Sequence, residues 1–258
     1  MPVDPRARVG FQRAAGRYER SRPEAPRAAI DALVRSLGIS RRSTVVELGA
    51  GTGKLTRLLA PRSGLYVAVE PVRAMRGQFR QALPTVPLVG ALAEMLPIRV
   101  ASVDAVAAAQ AFHWFDVPRA MREMHRVLRP GGTVGLLWNV RDESVDWVRQ
   151  VTRVMDRYDE GVPRFRLHAW RTAWDRTPGF DPLEKQSFPF VQRMDRETAL
   201  ARFTSVSFIA SLEPARYREA ENAIRDLLDS HPLTAGRDEI ELPYQCEIYC
   251  SRSTAAPG

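Results

Sequence analysis

Residues Val45 to Leu59 read VVELGAGTGKLTRLL, a short apolar run followed by three glycines at alternate positions and then a helix-forming segment. The run TVVEL, which begins at Thr44, is rich in β-branched residues and has the character of a buried parallel strand. Gly49, Ala50, Gly51 and Gly53 then supply a turn nearly free of side chains, as needed where a ligand meets the backbone closely. A helix starting near Gly53 would point free N–H groups at that ligand. After the loop around Pro61 to Gly64, LYVAVE forms a second apolar run whose last residue is Glu70. The carboxyl ends of neighbouring strands are where open α/β sheets bind ligands. A carboxylate at that place is suited to gripping the two hydroxyls of a ribose.

A dinucleotide fingerprint spaces its glycines as G-x-G-x-x-G. Here the third glycine comes one residue early and Lys54 stands where that pattern has glycine, so pyrophosphate binding is disfavoured. Glu47 adds negative charge beside the loop, which suits a cofactor with a cationic centre and an ammonium better than one with phosphates. On these residues the chain resembles the class I S-adenosylmethionine-dependent methyltransferases. Their first motif is E/D-x-G-x-G-x-G, and their second is an acidic residue ending the next strand.

The resemblance runs in order through residues 40 to 140 and more loosely through both ends. Ala93-Glu94-Met95-Leu96-Pro97 is similar to the family's A-E-x-L-P segment, which lies along the adenine. Val103 to Ala109 reads as a fourth apolar strand, running into Gln110-Ala111-Phe112-His113-Trp114-Phe115-Asp116. Val117, Met121, Met124, Val127 and Leu128 then fall on one helical face. Leu128-Arg129-Pro130-Gly131-Gly132 is expected to break that helix into the run TVGLLWN. Leu92 stands where many relatives carry an aspartate for the adenine amino group, which leaves adenine to backbone near Ala93 and to apolar stacking. Tyr18 to Pro23, YERSRP, resembles the family's Y-x-x-x-R-P segment, in which a tyrosine and an arginine close over the cofactor; a plain surface linker is an equal alternative.

The resemblance implies S-adenosylmethionine as cofactor, held by Tyr18, Arg22, Glu47, Gly49, Ala50, Gly51, Gly53, Glu70, Pro71, Met75, Ala93, Glu94, Gln110 and Ala111. It implies methyl transfer by in-line displacement, with alignment as the enzyme's main contribution. His113 follows the fourth strand and is either a base for the acceptor or a positioning group, since its ordinary pKa near 6.5 leaves it largely neutral. Trp114, Asn139 and Arg141 join His113 as expected substrate residues, while Trp138 equally suits the core. His125, His168 and His231 have no carboxylate partner or nucleophile at motif spacing and are read as structural.

Composition fits this reading. The 258 residues are 45% hydrophobic and suffice for one α/β domain with a modest addition. No apolar run approaches the ~20 residues of a membrane span, and the N-terminus lacks the apolar centre of a signal peptide, so a cytoplasmic protein is expected. The net charge of +8 raises nucleic acid as a partner. Lys54 and Lys185 are the only lysines, however, and the arginines are scattered among acidic residues with no basic tail. A small-molecule acceptor is therefore expected; an RNA methyltransferase and a non-catalytic cofactor-binding protein are the alternatives. Cys246 and Cys250, four apart on one strand, lie too far apart to bond comfortably and have no partner for zinc, so strand packing is expected and no metal.

The expected fold is α/β, a Rossmann-like, mostly parallel sheet of about seven strands with an antiparallel edge, helices on both faces and a helical cap. Residues 1–40 form an N-terminal helical cap over the cofactor, with helices near Val9–Glu19 and Pro26–Leu37. Residues 41–140 form the cofactor-binding core. Segments 141–182 and 195–236 form the substrate cap. Segments 183–194 and 237–252 are late strands completing the sheet, the first interrupted by Pro189 and so suited to an edge.

Overall fold

The apolar runs become the middle of one seven-stranded sheet in a computed structural model, which describes residues 22–159 and 165–254. The strands are β1 (Thr44–Leu48), β2 (Leu65–Val69), β3 (Leu88–Val89), β4 (Val103–Ala109), β5 (Leu128–Arg141), β6 (Glu184–Asp195) and β7 (Glu239–Arg252). Their order is β3-β2-β1-β4-β5-β7-β6. The first five are parallel neighbours, and β7 runs antiparallel to both β5 and β6. This is the Rossmann-like arrangement with an antiparallel edge, and Pro189 lies on the edge strand β6, where a missing N–H interrupts no second ladder.

Alternation along the strands divides the core between two faces. Val45, Ala105, Ala107 and Leu137 face α1 (Arg27–Ser36) and α2 (Lys54–Leu59), while Val46, Val106, Leu136 and Trp138 face α4 (Val117–Val127) and α6 (Ala169–Arg176). Helix α3 (Arg73–Ala82) packs Phe79 against Ala68 of β2. The buried side of α4 is Val117, Ala120, Met121, Met124 and Val127, and Asp116 caps its first turn by accepting from the Arg119 N–H. Cys246 and Cys250 are unbonded and buried on the α1 side; burial pushes their thiols up to about 12 and about 11, as befits inert packing groups.

Helix α4 ends at Val127 as expected, and the regular ladder resumes at Thr133. The Leu128–Gly132 turn is absorbed into β5: Val103 pairs with Leu128 but Ala105 pairs with Thr133, so the intervening residues bulge from the ladder. Gly131, at φ 75°, turns the bulge.

A separate core lies beyond the sheet. Helices α5 (Asp146–Asp156), α7 (Arg196–Thr204), α8 (Ser207–Ala210) and α9 (Pro214–Ser230) bring Val148, Phe203 and Ile224 onto Leu242 and Tyr244 at the outer end of the β6–β7 hairpin. Trp147 and Phe203 meet edge to face at 6.1 Å. The chain leaves the hairpin at Asp195 and returns at its register partner Glu239, so α7, α8 and α9 make one excursion between paired residues.

Candidate functional site

The turn after β1 is shaped by backbone conformation. Gly49 has φ 68°, and a Cβ on it would stand 2.6 Å from the Ala111 Cβ, so the loop leaving β4 can approach this closely only over glycine. Gly51 has φ 58°, and a Cβ there would meet nothing within 4 Å; the backbone borders open space. Gly53 donates its N–H to Ala50 O at 2.9 Å, closing the turn into α2.

Two buried carboxylates flank the turn. Glu70, 5% exposed, accepts from Gly51 N–H at 2.9 Å and from Val72 N–H at 2.7 Å. Each oxygen keeps further acceptor capacity. Burial raises its pKa, and the two N–H bonds oppose that rise. Glu47, 1% exposed, accepts on one oxygen from Thr56 Oγ1 and, at 2.8 Å, from Tyr66 OH. Burial raises its carboxyl from 4.5 to about 7, the two hydroxyls oppose the rise, and the Glu70 charge adds to it.

A cavity of about 80 Å³ adjoins this turn. That is room for roughly five or six water-sized groups, the scale of an amino-acid end. Glu47, Gly49, Ala50 and Gly51 form one wall, Gln110 and Asn139 another. Arg22 and Pro23 cross above, tethered by Lys54 Nζ donating to Arg22 O at 3.0 Å and Asn139 Nδ2 donating to Pro23 O at 3.1 Å. Gln110, at φ 55°, donates through Nε2 to Asn139 O at 3.3 Å. Asn139 Oδ1 is buried with no hydrogen-bond partner.

His113 stands on the 3-10 turn after β4, its Nδ1 accepting from Trp138 Nε1 at 3.1 Å. The ring proton therefore belongs on Nε2, which can only donate. Burial first, and the Arg22 charge second, pull the imidazole down to about 3. Such a group is a donor that positions a partner and a poor proton acceptor at neutral pH. Trp114 packs toward the outer core. Trp138 is buried and stacked on Trp170 at 4.6 Å, a core residue that also orients His113.

Other expected residues stand apart from the cavity. Glu94 Oε1 accepts from Asp116 N–H at 2.8 Å and so braces the start of α4. Ala93 is buried in the main core, while Met75 forms a small cluster with Val72 and Pro71 O accepts from Arg76 at 2.6 Å. Tyr18 and the helix expected near Val9–Glu19 lie outside the described residues.

Arg141 ends β5 on the same face as Asn139, with its guanidinium 5.6 Å from the Phe203 ring centre. The sequence reading missed Arg202, which reaches the cavity from α7 and is 3% exposed. An arginine among Ala199, Leu200 and Phe203, the buried side of its helix, was the available signal.

Comparison with known proteins finds methyltransferases. A family described as a methyltransferase domain matches residues 46–136. An uncharacterized methyltransferase of Mycobacterium tuberculosis is 38% identical over 250 residues, 96% of each chain. A methyltransferase-like protein of Schizosaccharomyces pombe is 33% identical over 240 residues, 93% of each chain. Among solved structures, a protein assigned as a type II methyltransferase from Anaeromyxobacter dehalogenans is 27% identical with TM-score 0.65, covering 92% of this chain and 99% of that one.

Proposed function

Since this chain belongs to the class I S-adenosylmethionine-dependent methyltransferase family, we propose that it transfers a methyl group to a small-molecule acceptor bound between the glycine turn and the outer helices. The observation that carries the reading is the open cradle at Gly51 between two buried carboxylates. The cradle fits the methyl donor: Glu70 has acceptor capacity for ribose hydroxyls, Glu47 faces the cavity as a counter-charge for an ammonium, and the unsatisfied Asn139 Oδ1 awaits a donor. When bound, the donor supplies an electrophilic methyl carbon. The protein's own part is to hold, align and exclude water. Backbone at Gly49 to Gly51 forms the floor, Arg22 and Pro23 cover the cavity, and His113 Nε2–H holds the acceptor in line.

The arrangement of charge supports a small acceptor over RNA. Arginines pair locally, Arg126 with Glu123 at 2.7 Å, Arg193 with Glu241 at 2.9 Å and Arg196 with Asp229 at 2.6 Å. Such pairs do not make a phosphate-tracking stripe. Among the described residues no helix is long and apolar enough to cross a membrane.

Calorimetric titration with S-adenosylhomocysteine tests the reading. The parent protein binds; Gly51→Val, which places a β-branched side chain in the open space at φ 58°, loses binding while keeping its circular dichroism spectrum. A parent that does not bind, or a Gly51→Val variant that binds normally, overturns it.

A further inference from the structure

Arg202 and Arg141 approach each other across Tyr244. In the β5–β7 ladder Arg141 pairs with Tyr244, so the two side chains stand on one face of the sheet. Arg202, arriving from α7, donates Nε–H to Tyr244 OH at 2.7 Å and holds its guanidinium 5.6 Å from the ring centre. One edge of that guanidinium is thereby used. Its Nη1 is buried with no hydrogen-bond partner, although Arg202 is 3% exposed and lines the cavity.

A buried guanidinium is costly unless an anion compensates it. Arg141 stands beside it: burial first and then the Arg202 charge lower its pKa to about 9, with Arg22 adding, and Tyr244 and Glu143 offset them only in part. The face of Phe203 supplies Arg141 with a cation–π contact but no acceptor. Asn139, between Arg141 and the cavity floor on the same strand face, has its Nδ2 engaged and its Oδ1 open.

We propose that Arg202 and Arg141 form a carboxylate-binding subsite for the methyl acceptor, which is therefore a small carboxylic acid. The inference rests on the methyltransferase reading above and narrows its substrate class. The planar fork of a guanidinium matches a carboxylate in parallel hydrogen bonds, and the unpartnered Arg202 Nη1 supplies a donor for that pairing. Arg202 reaches the cavity from α7 and not from the β1–α2 turn that would hold the donor, and on that ground the group is assigned to the acceptor. The other source of a carboxylate is the amino-acid end of the cofactor, and the experiment separates the two.

The probes are succinate, glutarate and benzoate, each beside its primary amide, titrated calorimetrically into protein saturated with S-adenosylhomocysteine. At least one acid binds the parent, and its amide binds at least tenfold more weakly. Arg202→Gln and Arg141→Gln each weaken the acid at least tenfold and leave the S-adenosylhomocysteine Kd within twofold. Arg202→Lys, which keeps charge and fold but loses the fork, retains intermediate acid affinity and supports the assignment should Arg202→Gln fail to fold. Amides binding as well as acids, no acid binding at all, or Arg202→Lys binding acids like the parent overturns the proposal. An arginine variant that loses S-adenosylhomocysteine but not the acids also overturns it and gives the group to the cofactor. Failure of the parent to bind S-adenosylhomocysteine is a different result, which refutes the methyltransferase reading itself.

Discussion

Replacing Glu47 by glutamine removes a charge that the folded protein holds at a disadvantage. Burial raises this carboxyl from 4.5 to about 7, so between those values the folded protein holds a proton that the unfolded chain has released. Stability must therefore fall as pH rises through that window, with no contribution below 4.5 and the full penalty above 7. At about 1.36 kcal/mol per pH unit, the span amounts to ~3 kcal/mol. Glutamine keeps an oxygen for the Tyr66 and Thr56 hydroxyls and has nothing to titrate. Urea denaturation of the ligand-free protein from pH 4.5 to 8 should find Glu47→Gln gaining on the parent by up to ~3 kcal/mol by pH 7 and levelling beyond. Cofactor binding should move oppositely. With ionised Glu47 as the proposed counter-charge for an ammonium, parent affinity for S-adenosylhomocysteine should rise over the same window while the variant is weaker at pH 8 and flatter. A stability gap that does not change with pH would refute this account of Glu47.

Two further outcomes follow from neighbouring groups. With Nδ1 engaged by Trp138 and the ring held near 3, His113 should add no ionisation near 6.5 to the pH profile of kcat at saturating S-adenosylmethionine; such an inflection, abolished in His113→Asn, would restore it as a base. Phe203→Ala, which empties a fully buried site in the outer core, should cost about 3–5 kcal/mol in denaturant unfolding; a loss below 1 kcal/mol would mean that this core does not pack as described.

The glycine turn was readable because its cause is local: alternate glycines allow positive φ, and the strands on either side end at the same edge of the sheet. Glu70 was readable as the carboxylate ending the next strand, and its bond to Gly51 N–H fits that position. The break of α4 at Leu128–Gly132 was readable too, but the pairing of Leu128 with Val103 and the bulge after it were not, because they depend on the start of β4, which proline and glycine chemistry alone does not specify. Glu94 shows the same limit; its partner is a backbone N–H 22 residues away at the start of α4. Arg202 is the extreme case. Its neighbour Tyr244 lies 42 residues further on, and only the docking of α7 on the β6–β7 hairpin brings them together.

The excursion between Asp195 and Glu239 leaves and re-enters at residues already paired in the ladder. Its ends are thus anchored by the sheet whatever lies between them, and doubling its length would cost only about 0.6 kcal/mol in closure entropy. The segment carrying Arg202 is in effect a cassette. On the acceptor assignment proposed above, an engineer can graft it at the same two residues to change the acceptor while the glycine turn stays untouched.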